Sequence, residues 1–217
     1  MFRDRTDAGV QLARLLEEYR GRDDVVLLGI PRGGVEVAAK VAESLGLPLD
    51  VVVVRKISAP GQPEYAVAAV DEDGGLLIGD HPHVSPAYLE ESAAGERAEI
   101  TRRLQAYREG RLELHVSGKT VLLVDDGIAT GLTVLKAIGL LRDRGAASVI
   151  VAAPVVALSS AAKLRRYADR VVAVTEPAGF AAVGQYYDSF PQTTDDQVRE
   201  ALLSASGRGF TDRTRRP

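Results

Sequence analysis

The sequence predicts a doubly wound α/β fold: a mainly parallel five-stranded sheet with helices on both faces and a small hood, or hairpin–helix insertion. Three observations predict it. Five short β-branched runs, Val25–Gly29, Val51–Val54, Val121–Val124, Val149–Ala153 and Val171–Val174, lack polar alternation, as parallel strands covered on both faces do. Helical periods fall between them, which is the pattern of a wound sheet. One segment, between Arg55 and Gly118, breaks the alternation.

In chain order, Leu12, Leu15, Leu16 and Tyr19 fall at helical spacing before the first run, and Val35, Ala38, Ala39, Ala42 and Leu45 after it. The second run leads into a Pro/Gly-rich loop, "RKISAPGQPEY". A hairpin is expected next, from "AVAAV" and "GLLIG" around Asp71–Gly74, and then a charged helix, Pro86–Glu109, whose Arg and Glu residues read as a solvated face. Leu132, Leu135, Ile138 and Leu141 restore the helical period after the third run. No internal repeat is present. Residues 1–205 read as a single domain with the insertion at about 55–118, and the tail Ser206–Pro217, "SGRGFTDRTRRP", reads as disordered.

A chain of 217 residues buries roughly 70% of its unfolded surface and needs no staples. It has no Cys, which excludes disulfides, zinc–thiolate sites and cysteine nucleophiles and fits a cytoplasmic location. The start, "MFRDRTDAG", carries charge where a signal peptide needs an apolar run, and no run is long enough to span a membrane. A formal net charge of −3 provides no global basic field, so nucleic acid is not the expected partner.

The stretch richest in chemistry is "VLLVDDGIATGLT", Val121–Thr133. Two like charges, Asp125 and Asp126, end a buried run, where ligands of open parallel sheets bind. Neighbouring strand residues point to opposite faces, so the two carboxylates need not meet one ligand atom. Together they can accept hydrogen bonds from a diol such as two ribose hydroxyls. The small residues that follow expose backbone N–H groups, Thr130 and Thr133 add hydroxyls, and a helix N-terminus opens, which suits phosphate. Diol acceptors beside a phosphate cradle describe a ribose 5-phosphate. The bland alternative, an acidic turn with an N-capping Thr, leaves the paired Asp unexplained. A Walker loop is excluded because no Lys precedes the Ser/Thr, and a receiver domain because Asp169 precedes its strand instead of ending it.

This stretch resembles the signature of type I phosphoribosyltransferases, which bind 5-phosphoribosyl 1-pyrophosphate (PRPP). It departs at Leu132, where Gly or Ser is commoner. Nearly the whole chain is similar to a bacterial group of these transferases whose substrate is unsettled, through "FRDRTDAG", "GIPRGGVEVA", "PEYAVAAV" and "VGQYYDSFPQTTDDQV". The resemblance implies the type I fold and Mg²⁺-dependent transfer of the phosphoribosyl group from PRPP to a nitrogen nucleophile, a nucleobase, with release of pyrophosphate. It places Asp125 and Asp126 on the ribose hydroxyls and Gly127, Ile128, Ala129, Thr130, Gly131, Leu132 and Thr133 around the 5-phosphate.

"GIPRGG", Gly29–Gly34, reads by itself as a tight strand-to-helix turn, but a guanidinium amid exposed N–H groups also suits pyrophosphate. The resemblance makes Pro31, Arg32, Gly33 and Gly34 the pyrophosphate loop and implies a cis peptide between Pro31 and Arg32. It makes "RKISAPGQPEY" a flexible loop that closes over PRPP, with Arg55 and Lys56 bringing cations to the leaving group. Asp125, Asp126, Arg32 and Lys56 are then the residues expected to carry catalysis.

"FAAVGQYYDSF", Phe180–Phe190, is aromatic core by default. It is also similar to a segment of the hypoxanthine-guanine transferases, which implies a metal-site role for Asp188. The stacking aromatic is replaced by Ala181 and the base-reading Lys has no counterpart in "VVAVTEP", so purine specificity does not carry over. His81, His83 and His115 lie outside these motifs; "HPH" reads as a polar hairpin exit rather than a metal site. The alternative function is a non-catalytic, PRPP-sensing regulator that binds nucleic acid. Against it, the basic residues are scattered: Arg102, Arg103 and Arg108 on one helix, Lys163, Arg165 and Arg166 on another. A homo-oligomer, a dimer, is expected.

Overall fold

The computed structural model describes residues 1–79 and 84–206. His81, His83 and the expected disordered tail from residue 207 onward lie outside the described residues.

Five parallel strands form the main sheet: β1 (Val25–Gly29), β2 (Leu49–Val51), β6 (Thr120–Val124), β7 (Ser148–Val155) and β8 (Arg170–Thr175), in the order β2-β1-β6-β7-β8. The helices are α1 (Arg5–Leu15), α2 (Gly33–Leu45), α3 (Pro86–Tyr107), α4 (Leu132–Asp143), α5 (Leu158–Leu164) and α6 (Asp195–Ser206). Alternating strand side chains feed two cores. Val25, Leu27, Leu122, Val124 and Ile150 pack under Leu12 and Leu16, Val41 and Leu45 of α2, and Leu202 of α6. Val26, Leu28, Val121, Leu123 and Val151 pack under Ile138 and Leu141 of α4 and Leu164 of α5. Each of these large apolar side chains contributes about 1.5–3 kcal/mol by burial. Helices on both faces of a five-stranded parallel sheet are the fold expected from the sequence.

The strand order places the reversal of winding between β1 and β6. From β1 the chain turns toward β2 on one side; β6 lies on the other, with Gly29 in register with Val124. The loops leaving these two strand ends run to α2 and α4, which lie on opposite faces. They must therefore part and leave a crevice, the usual ligand position in such sheets.

Two expectations about the insertion need correction. The run Val51–Val54 is not one strand. It contains the end of β2 and the start of β3 (Val54–Ala59), which belongs to a separate antiparallel sheet, β3-β4-β5, with β4 at Gln62–Asp71 and β5 at Leu76–Ile78. All four valines are buried because the run passes between the two sheets, and periodicity cannot show that. Nor is "RKISAPGQPEY" an irregular loop. It is a β-ribbon in which Ala59 pairs Gln62 across Pro60–Gly61, with Gly61 at φ 71°. The Pro-Gly pair supplies a turn, and Ile57 and Val67 anchor the ribbon in the core.

The charged helix, α3, is also more than a solvated face. Arg103 is buried against Glu99 at 2.7 Å, Glu96 pairs with Arg55 at 2.6 Å, and Arg97 donates to the Gly74 carbonyl at 3.2 Å. The hydrogen bonds from Arg102 and Arg103 hold the Glu99 carboxyl down at about 2. These charges fasten the helix to the small sheet and to Asp195 of α6.

Ribbon pairing is irregular between Ile57 and Ala59, where the register shifts. The resemblance makes this ribbon the segment that closes over PRPP, so the amides of Arg55–Tyr65 are expected to exchange quickly in the free protein and slowly with PRPP and Mg²⁺ present. Hydrogen exchange read by mass spectrometry checks this; equal protection in both states would make the ribbon a rigid wall.

Candidate active site

At the end of β6, the Asp125 amide still donates to Ala152 O of β7 at 3.2 Å, so its backbone is fixed by the sheet. Asp125 Oδ1 accepts the Asp126 amide at 2.8 Å. Asp126 Oδ2 accepts Arg5 Nε at 2.8 Å, and the Asp126 carbonyl accepts the Tyr187 hydroxyl at 2.5 Å. The loop beyond is pinned at Ile128, whose amide donates to Val155 O and whose carbonyl accepts the Ala157 amide, both at 2.9 Å. The Ser160 hydroxyl donates to the Ala129 carbonyl.

The N-capping Thr of the bland reading is not found. The N-cap of α4 is Gly131, in the left-handed region at φ 76°, and no side chain caps the helix. Thr130 is exposed, and Thr133 lines a cleft. Leu132, the departure from the transferase signature, turns into the core beneath α4 and is 8% exposed. Its side chain therefore packs away from the backbone of the loop.

The loop after β1 meets this one. The Ile30 amide donates to Val124 O at 2.9 Å, the Pro31–Arg32 peptide is cis, and α2 begins at Gly33. Its N-cap, Arg32, makes no side-chain capping hydrogen bond, so a second helix N-terminus faces the same place. A cleft of about 240 Å³ is lined by Ile30, Pro31, Arg32, Gly33, Val54, Arg55, Lys56, Asp125, Asp126 and Thr133. The structure thus gathers the two acids, the first-loop residues and the ribbon cations. Gly127–Gly131 flank the cleft through the loop between Asp126 and Leu132. A second pocket, about 470 Å³, lies beyond this loop and includes Ala129, Thr130, Ala157, Ser160, Phe180 and Ala181 in its wall. Asp188 is exposed and is not among the residues lining either pocket.

Burial, reinforced by the neighbouring Asp126 charge, pushes the Asp125 carboxyl well above the ordinary carboxylate value. Burial also raises Asp126, and the Arg5 guanidinium opposes that rise. The Tyr187 hydroxyl is pushed up, chiefly by burial and then by the Asp126 charge.

Sequence reasoning missed Arg5 and Tyr187. Phe2 bridges to Tyr187: its amide donates to Tyr186 O and its carbonyl accepts the Asp188 amide, both at 2.8 Å. Phe2 and Tyr187 form a small third core, with Phe180, Val183 and Phe190 packed around it. The aromatic segment is therefore core, as its composition indicates, but it is core that supports the cleft. The available signal was that "FRDRTDAG" and "VGQYYDSF" both belonged to the resemblance, at opposite ends of the chain.

Residues 7–189 match the family model of the phosphoribosyl transferase domain. Over 216 residues, 98% of this chain, it is 43% identical to the Mycobacterium tuberculosis H37Rv protein Rv0571c, whose name assigns it provisionally to the phosphoribosyl transferases. The chain spans 48% of that relative's length. It is 48% identical over 91 residues, 41% of the chain and 27% of the relative, to a ribose-phosphate pyrophosphokinase of Mycobacterium leprae. Among solved structures, TT1426 of Thermus thermophilus superposes with a TM-score of 0.78 at 43% identity, covering 94% of this chain and 98% of that one. The chain belongs to the phosphoribosyl transferase domain family.

Proposed function

We propose that the cleft binds PRPP and that the protein transfers its 5-phosphoribosyl group to a nitrogen nucleophile of a nucleobase. The observation that carries this reading is the meeting, at the β1/β6 reversal, of two adjacent carboxylates with two helix N-termini that no side chain caps. Asp125 and Asp126 accept the ribose hydroxyls. The 5-phosphate sits against the N–H groups of Gly127–Thr133 with the Thr130 and Thr133 hydroxyls. The pyrophosphate lies on the α2 N-terminus, between Pro31–Gly34 and the Arg32, Arg55 and Lys56 side chains. The acceptor ring occupies the pocket beside Phe180.

In the reaction the bond from ribose C1 to the pyrophosphate oxygen breaks and a bond from C1 to the acceptor nitrogen forms. The acceptor's N–H proton passes to solvent. Positive charge develops on the ribose ring and negative charge on the leaving group, so fixed carboxylates and fixed N–H dipoles lower the barrier at opposite ends. The ribbon β3–β4 covers the cleft and excludes water. Mg²⁺ binds through few carboxylates and many phosphate oxygens, which fits the donor set here. Among the described residues no group of three or more His, Asp or Glu side chains is placed to hold a metal ion. When bound, the ion would neutralise the pyrophosphate; Asp188, the metal-site residue that the resemblance implies, is exposed and lies outside the lining of the cleft.

Four of the six basic residues that the regulator reading would use are held in ion pairs. Arg102 and Arg103 pair with Glu99, Arg108 with Glu113 at 3.2 Å, and Arg165 with Glu176. Among the described residues, no helix is long and apolar enough to cross a membrane. Pyrophosphate release measured with PRPP, Mg²⁺ and a panel of nucleobases tests the proposal. Release that depends on one base and on Mg²⁺ is expected. No release with any base, together with no heat of PRPP binding, would overturn it.

A further inference from the structure

Arg5 is the first residue of α1 and is 6% exposed. A guanidinium so deeply buried is costly unless its donors are matched. Nε donates to Asp126 Oδ2 at 2.8 Å and NH1 donates to the Pro191 carbonyl at 2.7 Å. The Phe190 ring lies under the guanidinium, 3.9 Å from its carbon to the ring centroid, and Glu36 Oε2 of α2 is 4.0 Å from NH1. Partners 121 and 186 residues away hold two edges of one rigid plane, and the aromatic ring fixes its tilt. Gly33 completes the arrangement: a Cβ there would overlap the Asp126 carboxylate and stand 2.8 Å from Arg5 Nε.

Besides the cations Arg32, Arg55 and Lys56, which share the cleft wall with it, four groups face the Asp126 carboxylate region: Arg5 from α1, Glu36 from α2, Asp125 from the same strand end, and the Tyr187 hydroxyl from the segment after β8. Two are acidic and one is a neutral hydroxyl. Among the described residues, Arg5 is the cation at ion-pair distance. Without it, two adjacent carboxylates and a third from α2 would share one partly closed site, and like charges so placed suppress one another's ionisation. The bond uses Oδ2 and leaves Oδ1 for a ligand.

We propose that Arg5 is a positioning residue: it holds the Asp126 carboxylate, through Oδ2, in the orientation and charge state that let Oδ1 accept a ribose hydroxyl. This rests on the reading of Asp126 as a ribose-binding group. A purely structural staple, tying α1 to residues 190 and 191, is the competing role. The two differ in what pH does, because a staple has no stake in the charge of Asp126.

The test uses the full chain, with Arg5→Gln and Arg5→Lys. PRPP affinity in the presence of Mg²⁺ is measured by calorimetry from pH 5 to 8.5, beside thermal melts. Titration of PRPP's own phosphates is common to all forms and cancels in the comparison. Arg5→Gln is expected to weaken binding about 10- to 100-fold at pH 7 and to move the acid limb of binding up by about 1–3 pH units, the effect of losing a cation at this distance. Arg5→Lys keeps the charge but not the two-edged fork. It is expected to leave the acid limb in place and to weaken binding about 3- to 10-fold. Lower melting temperatures in both variants with an unmoved acid limb and wild-type affinity would make Arg5 a staple and overturn the proposal. If Arg5→Gln does not fold, Arg5→Lys decides, since wild-type affinity at every pH would overturn the positioning role. A native chain that binds no PRPP would fail the ribose reading itself, which the unmodified protein reveals before any variant is made.

Discussion

Asp126→Asn is expected to lower kcat/KM for PRPP by roughly 30- to 1000-fold, the equivalent of ~2–4 kcal/mol of transition-state stabilisation. The amide keeps the shape of the side chain and loses the charge. It also presents an NH₂ group where either the Arg5 donor or the ribose hydroxyl needs an acceptor. Steady-state kinetics and calorimetry read the loss, and unchanged values for both would remove Asp126 from the ribose site. Stability is expected to respond differently at Asp125. Its folded-state carboxyl is raised above the unfolded value of 3.8 by burial and by Asp126. As pH rises through 3.8 the unfolded chain ionises first, so stability falls until the folded carboxyl has also ionised. Asp125→Asn should therefore melt higher than wild type at neutral pH, with the gap closing toward about pH 4. A variant that melts lower at neutral pH would show that the carboxylate stabilises the fold. Asp126 gives no such clean result, because removing its charge strands the buried Arg5.

The parts of the fold legible in the sequence are those whose physics is local. Unbroken aliphatic runs mark β1, β6 and β7 because these parallel strands are buried on both faces, and the edge strand β8 keeps such a run with only Val172 buried. Small residues with paired acids mark the β6 loop because they end a buried strand at the crevice and leave backbone uncovered. Val51–Val54 misleads because a run passing between two sheets is as apolar as a strand inside one. "APGQP" misleads because Pro and Gly punctuate a tight turn as readily as a mobile loop. Arg5 is invisible for a different reason. Nothing in "FRDRTDAG" separates a surface arginine from one whose partners lie 121 and 186 residues away, and Arg3, two positions earlier, is largely exposed. The aromatic segment reads in sequence as core or as site, whereas it is core built to hold the site: Tyr187 packs on Phe2 and spends its hydroxyl on the Asp126 carbonyl.

Gly34→Ala is expected to destabilise the protein by ~1–3 kcal/mol, the cost of overpacking a filled position. Helix propensity points the other way, since Ala in a helix is favoured over Gly by roughly 0.5–1 kcal/mol. A net loss therefore measures close approach. The added Cβ would stand 2.9 Å from both Asp125 Cα and the Val124 carbonyl oxygen, and 3.0 Å from Asp125 Oδ1. Two of these neighbours are main chain of β6 and its end, fixed by sheet hydrogen bonds to β1 and β7, so no rotamer change relieves the contact. The helix must move instead, and its N-terminus is one of the two aimed into the cleft. PRPP affinity should fall together with stability. Two companion substitutions separate the causes. At Gly139, on the exposed side of α4, a Cβ meets nothing within 4 Å, so Gly139→Ala should gain roughly 0.5–1 kcal/mol from propensity alone. At Gly33 the Cβ meets the bonded Asp126 and Arg5 side chains instead of main chain, so Gly33→Ala should lose PRPP binding by displacing that pair. Urea unfolding and calorimetry on the three variants decide the matter. If Gly34→Ala is as stable as Gly139→Ala, α2 does not sit this tightly against β6, and the cleft is wider at its base than described.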